Sequence, residues 1–307
     1  FLTTLSHILL QIITVGMGSP LGREVAPREL AALVAAGLSS KLGLDPKETK
    51  ILLACGAGAG LAAVYNVPLA GAVFVLEVLL CEFSIALLLR ALVISGIAVA
   101  ISWIGLGNHP AYEIPNLEIS YSLVAWSVIA GPILGFSGYW FMRLATFARS
   151  KARSNWQTPV LCLLNFSLLG LLAIYFPALL GNGKSSALLV FDNTIGIGLT
   201  ASLLVLRVLM TCLTLRAGAH GGLLTPSLAN GALFSFLLGS LWSFFWPGTN
   251  LNTYAIVGAA AFLASAQKMP ITALILIFEF TRVNPSFLLP VALCILGASF
   301  TSKILAR

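Results

Sequence analysis

A chain of 307 residues that is 59% hydrophobic and only 9% charged has too little polar side chain to clothe a soluble domain of its size. Its mean hydropathy of +0.99 belongs to a polytopic membrane protein. The net charge of +7 comes with no basic stripe and no interleaved aromatics, so the expected partner is the lipid bilayer and not nucleic acid.

In chain order, the first break is Gly18-Ser19-Pro20-Leu21-Gly22-Arg23-Glu24-Val25-Ala26-Pro27, followed by short apolar runs at 29–40 and 51–65. A longer run at 83–106 can span a bilayer. The segment 107–119 carries Glu113 and Glu118 with no Lys or Arg and is expected outside. After the run 121–148, Arg143, Arg149, Lys151 and Arg153 form the densest basic group and mark a cytoplasmic loop. Runs at 158–177 and 196–215 follow, separated by a turn at Gly181-Asn182-Gly183. A second break, Gly221-Gly222-Leu223-Leu224-Thr225-Pro226, precedes a short run at 254–266 and a final long run at 286–306. The short runs fall below the roughly 20 residues of a full crossing and predict broken helices, whose irregular backbone must line a cavity or be buried in protein.

Two segments match at an offset of 202 residues. Gly56-Ala57-Gly58-Ala59-Gly60-Leu61-Ala62, Pro68 and Glu77 recur as Gly258-Ala259-Ala260-Ala261-Phe262-Leu263-Ala264, Pro270 and Glu279, and each copy follows one of the glycine–proline breaks. Repeats with short interrupted helices at matching places characterise transporters. The expected division is a first repeat within 1–107, an external linker at 108–120 and a second repeat at 121–307, with opposite orientations in the membrane.

The breaks are the candidate site. Helix N-termini carry unpaired amides and partial positive charge, so they attract anions. Gly22 and Gly222 are expected to open two helices, with Pro27 and Pro226 in their first turns. The amides of Arg23, Glu24 and Val25, and of Leu223, Leu224 and Thr225, then become anion donors. Glu24 can occupy an anion position itself and leave when protonated or displaced, which makes it a gate; the plainer reading is an acid in a first turn. Arg23 either pairs with a neighbouring acid or serves the site, and Glu29 reads as a face residue. Glu77 and Glu279 read as helix-end acids, with an intramembrane functional role as the other reading. His220 reads as a loop histidine. The five cysteines read as buried reduced thiols, and His7, His109 and His220 have no metal-ligand spacing, so no metal, cofactor or enzymatic activity is expected.

Gly22-Arg23-Glu24 resembles the GREGP motif of the CLC family of chloride channels and chloride/proton exchangers. Gly222-Leu223-Leu224-Thr225-Pro226 resembles its GxFxP motif. The stretch from Gly56 to Gly71, GAGAGLAAVYNVPLAG, resembles the family segment GAAAGLAAAFNAPLAG. The resemblance runs from about residue 15 to the end. It implies an all-α membrane protein, a CLC-type inverted-repeat bundle of tilted and broken helices, forming a homodimer with one anion pathway per subunit. It gives Glu24 the gating role and both motifs anion-site amides, with chloride as the transported ligand. Three departures stand out: Val25 replaces a glycine with the proline displaced to Pro27, Leu224 replaces phenylalanine, and Val78 stands where exchangers carry an internal glutamate. The family's serine-bearing GSGIP loop is expected upstream of Phe1 and its anion-contacting tyrosine beyond Arg307, as in a truncated chain. The function expected is chloride transport in a bacterial inner membrane, gated by Glu24 and passive because valine cannot relay a proton. The alternative is a chloride/proton antiporter with a non-standard internal proton site such as Glu82.

Overall fold

A computed structural model describes residues 2–115, 117–152 and 155–307. Phe1, Asn116, Arg153 and Ser154 lie outside the described residues, and with them one member of the basic group and one position of the 108–120 linker. The described residues form thirteen α-helices: α1 (Leu2–Gly16), α2 (Val25–Lys41), α3 (Pro46–Tyr65), α4 (Pro68–Phe74), α5 (Ile85–Leu106), α6 (Tyr121–Ser150), α7 (Gln157–Tyr175), α8 (Lys184–Phe191), α9 (Ile197–Arg216), α10 (Leu224–Trp242), α11 (Leu251–Gln267), α12 (Pro270–Thr281) and α13 (Leu288–Leu305). A π-helical turn, Val75–Leu80, continues α4, and a 3₁₀ turn, Pro285–Phe287, leads into α13. The helices α5, α6, α7, α9 and α10, and the stretch Pro285–Leu305, are long and apolar enough to cross a membrane. The all-α membrane fold implied by the resemblance is therefore the observed one.

The five long runs agree closely with α5, α6, α7, α9 and α13, because a sustained apolar run has one stable conformation in lipid, whereas α10 is a sixth long apolar helix for which no run was expected. The short runs come out longer than the apolar pattern alone allows. α3 reaches back to Pro46 because Asp45 caps it, accepting from the Glu48 amide at 2.7 Å, and Glu48 in turn pairs with Arg90 at 2.9 Å. Charged residues thus occupy a helical first turn that hydropathy discounts. Cys81, expected buried, is exposed: it holds a left-handed conformation (φ 54°) that ends the π-helical turn.

The chain divides into two compact units that do not follow its linear order. The first comprises Phe1–Ile13, Arg23–Glu113 and Ile271–Arg282. Within it α2 lies against α3 with almost no intervening side chain: a methyl at Gly56 would sit 2.9 Å from the Ala31 carbonyl, and one at Gly60 would run into the Pro27 carbonyl. Cys55, Ala72, Val75, Leu76, Leu87 and Ala91 form a core where α3, α4 and α5 meet.

The second unit comprises Thr14–Gly22, Ile114–Pro270 and Val283–Arg307. Here α11 is buried from Asn252 to Ala266, between α6 and α10. α6 packs on α13 through Gly131 and Gly135, which face the Cys294 and Ala298 backbone. Without a hydrophobic driving force between helices in lipid, close backbone approach and dispersion supply the cohesion, so small residues mark the contacts. Gly135→Leu would force a side chain into the Ala298 carbonyl and is expected to cost about 1–3 kcal/mol or more. Gly170→Leu on α7, where nothing lies within 4 Å, is expected to be neutral. Thermal unfolding of both variants in detergent checks the contrast.

Candidate functional site

Glu24 occupies the N-cap position of α2 with helical dihedrals (φ −73°, ψ −19°), yet its side chain makes no capping bond to its own helix. The carboxylate is 1% exposed, and its Oε2 accepts a hydrogen bond from the Tyr65 hydroxyl at 3.0 Å. Tyr65 is the last residue of α3, followed by Asn66 in the left-handed conformation and Pro68 at the start of α4. Arg23 points outward with its guanidinium 5.4 Å from the Tyr65 ring centre. Arg28, one turn along α2, lies over the Phe74 ring at 4.5 Å and attracts both Glu24 and Glu29 electrostatically. Glu29, read as a face residue, accepts from the Gln11 side chain at 3.2 Å. Val25 and Pro27 are half-buried in the first turn.

The glycines of the two breaks do not open helices. α2 starts at Val25 and α10 at Leu224, while Gly22 and Gly222 stand before them and bond to each other. Within the second unit, Gly22 N–H donates to the Gly222 carbonyl at 2.7 Å and Gly222 N–H donates to the Gly22 carbonyl at 3.1 Å. This correction has a plain cause: two broken backbones satisfy each other where no helix can satisfy them. Gly221 packs on Leu21, and its carbonyl accepts from Arg149 Nη2 at 3.1 Å. Leu223, Leu224, Thr225 and Pro226 are all buried as the chain enters α10. His220 beside them is exposed.

The repeated glutamates have a role that hydropathy does not reveal. In the first unit, Glu77 accepts from the Ile271 and Thr272 amides at 2.9 and 2.7 Å and from the Thr272 hydroxyl at 2.6 Å. Glu279 accepts from the Leu69 and Ala70 amides at 2.9 and 2.7 Å. Each acid caps the helical segment that carries the other, one and two residues beyond Pro68 on one side and one and two beyond Pro270 on the other. Reciprocal capping requires that the α4 segment and α12 run in opposite directions. Val78 follows Glu77 inside the π-helical turn, and Glu82 is exposed beyond its end. Among the described residues no group of three or more His, Cys, Asp or Glu side chains is placed to hold a metal ion.

A family model described as voltage gated chloride channel matches residues 1–303. The chain belongs to that family. Among its curated members, the H(+)/Cl(−) exchange transporter ClcA of Vibrio cholerae is 32% identical, with 94% of this chain and 64% of that protein covered. The voltage-gated ClC-type chloride channel ClcB of Citrobacter koseri is 31% identical, with 92% and 69% covered. This chain therefore spans about 64% of the length of the ClcA relatives it matches. Two solved structures share the fold. A slow cyanobacterial Cl−/H+ antiporter superposes with a TM-score of 0.87 at 23% identity, over 95% of this chain and 70% of that one. A CLC-type fluoride/proton antiporter superposes with a TM-score of 0.81 at 25% identity, over 98% and 74%.

Within this member of the family, Tyr65 and Arg207 escaped the sequence reading. Tyr65 carries the only hydroxyl between Gly56 and Gly71, a signal that was available. Arg207 lies in the middle of the apolar run 196–215 and is fully buried in α9, its guanidinium against Gly183 and its Nη1 donating to the Leu179 carbonyl at 3.4 Å. A lone arginine inside such a run was likewise visible. Removing a capping glutamate tests the reciprocal arrangement. Glu77→Ala would strand the Ile271 and Thr272 amides and Glu279→Ala those of Leu69 and Ala70, each at an expected cost of about 1.5–3 kcal/mol. Denaturation in detergent, with Glu82→Ala as the exposed control, measures it.

Proposed function

We propose that the full-length protein exchanges chloride for protons across a bacterial inner membrane, with Glu24 as its gate. The observation that carries the reading is Glu24 itself: a carboxylate withdrawn from solvent at a glycine–proline break, held by a neighbouring phenol and making no capping bond to its own helix. Such a group can be protonated or displaced without unfolding the helix that bears it. The backbone amides of Arg23, Glu24 and Val25 at the start of α2, and those of Leu223, Leu224 and Thr225 at the start of α10, each offer donors to an anion. Amide dipoles bind without a full charge and so let the ion leave. The names of the ClcA relatives and of both solved structures support proton coupling over passive conduction. The division into inverted repeats at 1–107 and 121–307, and the homodimer, are part of the same proposal.

Val78 favours a second reading. A valine at the position after Glu77 cannot relay protons, and one relative bears the name of a channel. Under exchange, Glu82 takes up the internal proton, since it is the first carboxylate beyond Val78 and is exposed to solvent.

The decisive experiment is chloride flux from liposomes holding the full-length protein, with external pH recorded in parallel. Under exchange, a chloride gradient drives protons against their own gradient. Chloride flux with no proton movement would establish passive conduction, and no anion flux would dismiss the reading. Glu24→Gln is expected to conduct at a rate independent of pH, because a side-chain amide does not titrate. Glu82→Gln is expected to keep chloride flux and lose most proton movement.

A further inference from the structure

We propose that Tyr65 is a latch on the gate: its hydroxyl positions the Glu24 carboxylate in the closed state, and releasing that bond is a step in opening. The inference rests on the gating role proposed for Glu24 and adds a residue to it. The family segment carries phenylalanine at this place, so the latch belongs to this chain and not to the pattern it resembles.

The carboxylate is almost wholly buried, and a buried charge requires a compensating hydrogen bond. Tyr65 Oη supplies one at 3.0 Å, with the tyrosine itself 5% exposed. A phenol donating to a carboxylate is a charge-assisted bond, stronger than a neutral pair. The bond is made with the carboxylate in its buried place and is lost when the carboxylate leaves.

The phenol is held from three sides. Its backbone ends α3, where the side chain of Asn66 donates to Asn108 Oδ1 and to the His109 carbonyl, each at 3.0 Å, and accepts from Trp103 Nε1 at 2.8 Å. Its ring meets Phe280 edge to face at 5.3 Å. Phe280 is itself braced by the Tyr112 ring at 5.7 Å, and its carbonyl accepts from the Tyr112 amide at 2.9 Å. The Arg23 guanidinium sits over the ring's face, 5.4 Å from its centre. A donor fixed in this way imposes a position on the mobile partner; the gate moves and the latch stays.

Several charged and titratable groups neighbour Glu24. On its own helix, Arg28 attracts it and is shared with Glu29, and beside it the Arg23 guanidinium lies over the Tyr65 ring. From α3 the facing group is Tyr65, and from the 107–113 segment and α12 it is Tyr112, which acts through Phe280. Among these groups Tyr65 is the neutral one whose hydrogen bond holds the Glu24 carboxylate directly.

The test is the pH profile of chloride flux for the full-length protein in liposomes, comparing wild type, Tyr65→Phe, Glu24→Gln and the double variant. Tyr65→Phe keeps the ring, its contact with Phe280 and its cation–π partner, and removes only the hydroxyl. With the bond gone the closed gate loses a contact that the open gate never had, so opening is easier and the activation midpoint of flux moves to higher pH. A shift of about one unit, tenfold in proton concentration, is the size expected for one charge-assisted bond. In the Glu24→Gln background Tyr65→Phe should then change nothing. A midpoint that stays put or moves down in Tyr65→Phe, while Glu24→Gln abolishes pH dependence, overturns the latch and leaves the gate standing. An equal change of flux on adding Tyr65→Phe with and without Glu24 also overturns it. Wild-type pH dependence in Glu24→Gln overturns the gating role, and the latch falls with it.

Discussion

Lipid offers no hydrogen bonds, so every place where a helix stops inside the membrane must be completed by protein. The structure meets that demand with three devices, each built from a motif in the sequence. Glu77 and Glu279 close the first turns of α12 and α4. Gly22 and Gly222 exchange a pair of backbone bonds where their helices have not yet begun. Asn66 and Lys268, both left-handed and 202 residues apart, end α3 and α11, and the next amides, those of Val67 and Met269, return to the Ala62 and Ala264 carbonyls. With the breaks stabilised, irregular backbone can persist between apolar helices.

The same economy explains why Glu24 is available. An acid at an N-cap ordinarily spends its charge on the amides of its own helix. Here the helical dihedrals of Glu24 turn its carboxylate away from them and toward Tyr65. A bond to a side chain on another helix can be broken without fraying the first turn of α2. Under the proposed exchange, this separates the energetics of the gate from those of the fold. Arg28 contributes by long-range attraction, spread between Glu24 and Glu29.

Close packing of glycine-rich faces sets the limits on movement. The α2–α3 contact at Gly56 and Gly60 and the α6–α13 contact at Gly131 and Gly135 bring backbones together at distances a single methyl would disturb. Helices joined in this way behave as rigid bodies, because sliding them requires parting many small contacts at once.

Membrane residence, the long spans, the internal repeat, the two breaks and the family were legible in the residues themselves, because they depend on local composition and on short patterns such as Gly22-Arg23-Glu24 and Gly222-Leu223-Leu224-Thr225-Pro226. The partners of Glu24, Glu77 and Glu279 were not. Tyr65 is 41 positions from Glu24, and the capped amides lie about two hundred positions from their glutamates. Hydropathy could mark Glu77 and Glu279 as helix-end acids but not say whose helix they end. The glycine–proline breaks placed the helix starts at Gly22 and Gly222, whereas the helices begin at Val25 and Leu224 and the two glycines pair with each other. The sequence by itself determined which segments enter the membrane and where they break, since a chain's apolar runs and its glycines and prolines act locally. Only the tertiary structure decided what completes each break, since a hydrogen-bond partner brought from far along the chain leaves no periodic trace.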